Sequence, residues 1–101
     1  MPKIKISIIK RFSPEDVFGQ EYKTPTGKVV EKCHFEDGQE WISEDGEMPV
    51  GFCDWAWTDL ARSIDFLRSS DFKKWAEDGI TYVACSDGTR PVCFKLERVE
   101  E

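Results

Sequence analysis

Gly51-Phe52-Cys53-Asp54-Trp55-Ala56-Trp57-Thr58-Asp59-Leu60 reads as a turn running straight into an amphipathic helix. From Cys53 the small or apolar positions recur at Ala56, Trp57, Leu60, Ala61, Ile64 and Leu67, the i, i+3, i+4, i+7 spacing of one core-facing stripe. Cys53 or Asp54 is placed to cap this helix, and Asp54 and Asp59 suit the positive end of its dipole. The pattern runs to about Arg68. A thiol therefore sits at the head of the stripe that carries the largest aromatic mass, and the rest of the chain must supply the surface that this stripe covers.

That surface is β. On the N-terminal side, Lys3-Ile4-Lys5-Ile6-Ser7-Ile8 alternates with period two and is rich in β-branched residues, so Ile4, Ile6 and Ile8 face the core. On the C-terminal side, Ile80 to Cys85 and Val92 to Val99 are apolar runs joined by Ser86-Asp87-Gly88-Thr89-Arg90-Pro91, a hairpin signature. In its second arm Val92, Phe94 and Leu96 alternate with Cys93, Lys95 and Glu97, which puts Cys93 on the face opposite the core. The first arm is apolar on both faces, as a central or covered strand would be, and leaves the direction of Cys85 open.

The remaining elements are shorter. Ser13-Pro14-Glu15-Asp16 supplies a capping hydroxyl, a proline at the first helical position and acids in the first turn, with Gly19 to end a short helix. Thr24-Pro25-Thr26-Gly27 is a turn whose flanks, Tyr22 to Val30, suit a short hairpin. Gln39 to Ser43 reads as strand, with Trp41 or Ile42 entering the core, and Asp45-Gly46 and Pro49 break the chain before the long helix. Ser69-Ser70-Asp71 offers a fresh cap for a second short helix from Phe72 to Asp78, which would align Phe72, Trp75 and Ala76 and stop at Gly79. The expected architecture is a single α+β domain over residues 1–101. A mainly antiparallel sheet holds the N- and C-terminal strands side by side, packed by one long central helix and a short second one.

Composition bounds function. At 101 residues the chain has the size of one domain, and its 40% apolar residues with four Trp and seven Phe are enough for an aromatic core. A net charge of −6 opposes attraction to phosphate backbones, so no nucleic-acid partner is expected. No segment approaches the ~20 apolar residues needed to span a bilayer, and the N-terminus lacks the apolar run of a signal peptide, so a cytoplasmic protein without a membrane partner is expected. In a reducing compartment the four cysteines, Cys33, Cys53, Cys85 and Cys93, are left with burial, metal binding or redox chemistry. Their separations of 20, 32 and 8 residues contain no C-x-x-C pair. No nucleotide loop, Ser-His-Asp set or HExxH motif is present, and Asp54, Asp59 and Asp87 are accounted for by capping and turn roles.

Three segments resemble one family: Phe35 to Trp41, Met48 to Asp59 and Cys85 to Arg98, with the opening Lys-Ile-Lys-Ile strand fitting as well. The family comprises short prokaryotic proteins of about one domain with no established activity. The Gly-Phe-Cys helix start combined with the late Asp-Gly-x-Arg-Pro-Val hairpin is the specific part of the likeness. The resemblance implies cysteines at the places of Cys33, Cys53 and Cys85, often with a second beside the last, where this chain has Ala84. It also implies Cys-Pro where this chain has Cys33-His34, and Gly-Gly where it has Ser69-Ser70.

Two functional readings stay open. In the first, Cys53 is the reactive or bound thiol, because a helix N-terminus places free N–H groups and partial positive charge beside the sulfur. Cys33 and Cys85, with His34 or Cys93 as a fourth group, would complete a zinc or iron–sulfur site, or the thiols would do redox chemistry without metal. In the second, the cysteines are buried structural residues and the protein is a non-enzymatic interaction module or homodimer. Trp55 and Phe66, which fall off the helical stripe, then serve as an aromatic patch, and Arg90 in the polar turn binds a carboxylate or phosphate or pairs with a nearby acid.

Overall fold

The structure is a computed structural model that describes residues 3–29, 35–74 and 78–99. Its four strands are β1 (Lys3–Arg11), β2 (Glu40–Ser43), β3 (Ile80–Ala84) and β4 (Val92–Val99), and its helices are α1 (Pro14–Phe18) and α2 (Asp54–Arg68). The strands form one antiparallel sheet in the order β2-β1-β4-β3, so the two terminal strands are the central pair. Their register sets Ile4 opposite Arg98, Ile6 opposite Leu96 and Ile8 opposite Phe94. A bulge at Ile9 shifts the pairing, so that Lys10 meets Cys93.

Alternation sorts the two faces. Ile4, Ile6, Ile8, Val92, Phe94 and Leu96 point to the same side and are buried there under Ala56, Leu60, Ile64 and Leu67 of α2. Fully burying a Leu such as Leu60 contributes roughly 1.5 to 3 kcal/mol, so this stripe is the main cement between helix and sheet. The opposite face is not covered by α2. There Lys5 pairs with Glu40 at 3.1 Å and Lys3 with Glu44 at 3.3 Å.

Phe52 extends the core beyond the stripe. Its ring lies 4.9 Å from Trp41, 5.4 Å from Phe35 and 5.9 Å from Phe94, an aromatic cluster at the head of α2. Phe35 is brought in by Arg11, which donates to the Phe35 carbonyl and pairs with Asp37 at 2.9 Å. At the other end of α2, Arg98 closes the inward row of β4. Its Nη1 donates to the carbonyls of Leu67 at 2.7 Å and Ser69 at 3.1 Å, and its guanidinium lies 4.2 Å from the Phe72 ring centroid.

Three expectations change. Of the helix expected from Phe72 to Asp78, the described part Phe72–Lys74 is a 3-10 turn, and residues 75–77 lie outside those described. Its bonds span three residues, Phe72 N–H to Ser69 and Lys74 N–H to Asp71, the tighter pattern that such short pieces adopt. Of the hairpin expected from Tyr22 to Val30, the described residues form one antiparallel bridge, between Lys23 and Val29, and residue 30 lies outside those described. β3, apolar on both faces, is an edge strand and not a central one: Val83 packs on the core while Tyr82 stands 65% exposed. Helix α1, by contrast, has the expected signals, with Ser13 and Asp16 forming a reciprocal capping box and Gly19 closing it at φ 76°.

Candidate thiol site

The head of α2 is built by the turn before it. Phe52 N–H donates to the Pro49 carbonyl at 3.2 Å across Val50 and Gly51, and Gly51 takes φ 81°. A positive φ at that position is what a type II turn demands of its third residue, and glycine adopts it without steric cost. The turn delivers Phe52 inward and leaves Cys53 as the N-cap. The Cys53 carbonyl accepts the Trp57 N–H at 2.9 Å, whereas its side chain makes no capping hydrogen bond. The sulfur is therefore not engaged by the helix end it sits on.

The facing wall is the turn between β3 and β4. Cys85 N–H donates to Val92 O at 3.0 Å, and Val92 N–H donates to Cys85 Sγ at 3.4 Å. Beyond it Asp87 organises the turn through its own carboxylate. Oδ1 accepts the Thr89 N–H at 3.0 Å and the Thr89 hydroxyl at 2.8 Å, and Oδ2 accepts from Arg90 Nε at 3.1 Å. Burial pushes the Asp87 carboxyl up, but the hydrogen bonds from Thr89 and Arg90 and the Arg90 charge outweigh it and hold the group below its ordinary value.

Two side chains from α2 lock the turn to the helix. Asp59 Oδ2 accepts the Ser86 backbone N–H at 2.7 Å, and Trp55 Nε1 donates to Ser86 Oγ at 2.8 Å. Trp55 stays 57% exposed, lying over the junction between helix and turn. Beneath it is a small pocket of about 70 Å³ lined by Cys53 and Cys85 together with Phe35, Ala56 and Arg90. Trp55, Asp87 and Arg90 also wall a larger hollow of about 700 Å³, whose far side is Thr24, Lys28 and Val29.

Cys53 and Cys85 thus share one pocket, both half-buried and packed against the core. Cys93 lies elsewhere, on the sheet face away from α2, paired with Lys10 and Ala84. Cys33 and His34 lie outside the described residues, although in the sequence Cys33 is two positions before Phe35, which lines the pocket. Among the described residues no three His, Cys, Asp or Glu side chains converge as a metal-binding group. Phe66 packs against the core, apart from Trp55, and Arg90 pairs with Asp87 while lining both hollows.

The sequence reading passed over the Asp59 link to Ser86, which joins positions 27 residues apart and has no local signature. It also passed over Phe35, Thr24 and Lys28 as walls. For Phe35 an apolar residue two positions after a cysteine was the available hint; for Thr24 and Lys28 there was none.

Fold and site define a two-layer α+β domain with a thiol-lined pocket where the helix head meets the last hairpin. Comparison with family models, with curated proteins and with solved structures finds no significant match. Among the described residues no helix is long and apolar enough to cross a membrane.

Proposed function

We propose that this is a small cysteine-site protein that carries out thiol–disulfide exchange at the pocket between α2 and the β3–β4 turn. Cys53 is the attacking sulfur and Cys85 the resolving one. The observation that carries the reading is the shared pocket: two of the three described cysteines line one cavity, and the third is on the opposite face of the sheet. Exchange needs a thiolate with access to a disulfide and a second thiol to release the adduct. Cys53 offers a sulfur that is not tied up as a cap and that lines the pocket beside Cys85.

Counting reactive thiols in native protein purified without oxygen, with metal analysis of the same sample, tests this. Rapid modification of Cys53 and a disulfide linking Cys53 to Cys85 after mild oxidation are expected. Stoichiometric zinc or iron that blocks Cys53 would replace exchange by a metal-thiolate role, in which Cys33 and His34 are the further candidate ligands. Unreactive thiols without metal would leave the cysteines structural.

The exposed Trp55 and the uncharged edge strand β3, with Tyr82 outward, favour a second reading as a protein-interaction module or homodimer. Light scattering decides it: a protein that stays monomeric at high concentration is not a homodimer.

A further inference from the structure

Resting on the thiol-exchange reading, we infer that the outer hollow is the substrate site, and that it selects a small disulfide carrying carboxylates close to its sulfurs. The inner pocket, at about 70 Å³, has the room of about two liquid waters, enough for a sulfur and the methylene beside it. The outer hollow, at about 700 Å³, lies in the range of sites that take a whole small molecule. Trp55, Asp87 and Arg90 wall both spaces, so a molecule filling the larger one can present one end to the sulfurs in the smaller.

Charge then sets the class. The chain carries −6 overall, yet among the described residues the hollow is lined by Lys28 and Arg90 against one acid, Asp87. That acid is 18% exposed and is taken up by Thr89 and Arg90, so it presents little negative surface of its own. An anionic group on the ligand is matched by the Lys28 ammonium, the positive charge that the Asp87–Arg90 pair leaves over on the described lining, while the Trp55 face covers the apolar part. A cationic ligand would meet that ammonium, and the carboxylate described on the lining is already paired with Arg90.

The step balances without another reactant. The Cys53 thiolate attacks one sulfur of the ligand disulfide, that S–S bond breaks, and a Cys53–ligand S–S bond forms. The departing thiolate takes the electron pair and is protonated by water. Attack by the Cys85 thiolate on the Cys53 sulfur then releases the second ligand thiolate and leaves the internal disulfide. The protein is oxidised by two electrons and the ligand disulfide is reduced to two thiols.

The test compares two aromatic disulfides on the full reduced chain: the dianion 5,5′-dithiobis(2-nitrobenzoate) and the neutral 4,4′-dithiodipyridine. Each rate is divided by that reagent's rate with a small free thiol, and the modified cysteine is located by peptide mass spectrometry. At Cys53 the normalised anionic rate is expected to exceed the neutral one, by about tenfold at low salt, as expected for a cleft lined by the opposite charge. Lys28→Glu should bring that ratio to one or below, and a neutralising Arg90→Gln should lower it, whereas Lys95→Ala, on β4, should leave it as it is. Equal normalised rates at Cys53, unmoved by Lys28→Glu, would overturn the anion selection and leave thiol exchange standing. No reaction at Cys53 with either reagent would remove the exchange reading itself, and this inference with it.

Discussion

Asp59 and Ser86 are joined by the bond that fixes the site: the Asp59 carboxylate accepts the Ser86 backbone N–H at 2.7 Å, tying the second turn of α2 to the β3–β4 turn. Trp55, one helical turn earlier, donates to the Ser86 hydroxyl at 2.8 Å, so one residue of the turn is held from two successive helical levels. The width of the thiol pocket depends on this pair of bonds, because Cys53 belongs to one side and Cys85 to the other.

Removing the acceptor should therefore loosen the pocket more than the fold. Asp59→Ala is expected to cost about 1 kcal/mol, the net worth of one such bond near the surface, in urea unfolding. The Cys53–Cys85 disulfide should form more slowly in that variant. Asp59→Asn keeps an acceptor oxygen and should recover most of both effects. Full stability together with unchanged disulfide formation in Asp59→Ala would show that the turn holds itself.

Much of this architecture was legible beforehand, and the reason is local. Alternation at Ile4, Ile6 and Ile8 and at Val92, Phe94 and Leu96, and helical spacing at Ala56, Leu60, Ile64 and Leu67, are periodic signals that burial then satisfied together. The same alternation set Cys93 on the face away from the core, as its pairing with Lys10 and Ala84 has it, while the direction of Cys85 stayed open. The meeting of the two terminal strands was legible as well, but individual side-chain contacts between distant segments were not. Arg98 continues the inward row of β4, and nothing local in the sequence shows that it reaches the carbonyls of Leu67 and Ser69. Apolar residues on both faces of β3 suited a central or a covered strand; strand order, fixed by pairing partners and not by composition, makes it an edge strand with Val83 on the core. The hollow beside Trp55 needed Lys28, whose placement follows from how the chain returns after α1.

Acid should weaken the protein through Asp87. Its folded carboxyl titrates below its unfolded value, so the stability it contributes is fully present above the ordinary carboxylate range and is lost as pH falls through the folded value. Unfolding midpoints measured downward from about pH 5 should fall more steeply in the wild type than in Asp87→Asn, which has no charge to lose there. Parallel curves for the two proteins would mean that the bonds from Thr89 and Arg90 contribute nothing to stability.

Arg98 should be the most sensitive charged position at the far end of α2. Arg98→Ala leaves two carbonyls without their donor and removes the cation from the Phe72 ring, a loss of about 2 kcal/mol. Arg98→Lys supplies a charge but not the planar fork and should restore less than half. Because the contacts lie at the C-terminal end of the helix, thiol reactivity at Cys53 should stay at the wild-type rate, and a parallel loss of reactivity would mean that the two ends of α2 are coupled.

The three described cysteines should separate cleanly by substitution. Cys53→Ser is expected to lower exchange with a small disulfide on the order of 100-fold, since a hydroxyl does not replace the thiolate as nucleophile. Cys85→Ser retains the attack but removes the resolving sulfur, so the mixed disulfide on Cys53 should accumulate and be seen as an added ligand mass on the intact protein. Cys93→Ser alters a side chain on the other face of the sheet, opposite Lys10 and Ala84, and should leave both rates alone. If Cys85→Ser releases the ligand as fast as wild type, the resolving thiol is another one. Cys33 is then the next to replace, because in the sequence it precedes the pocket residue Phe35 by two positions.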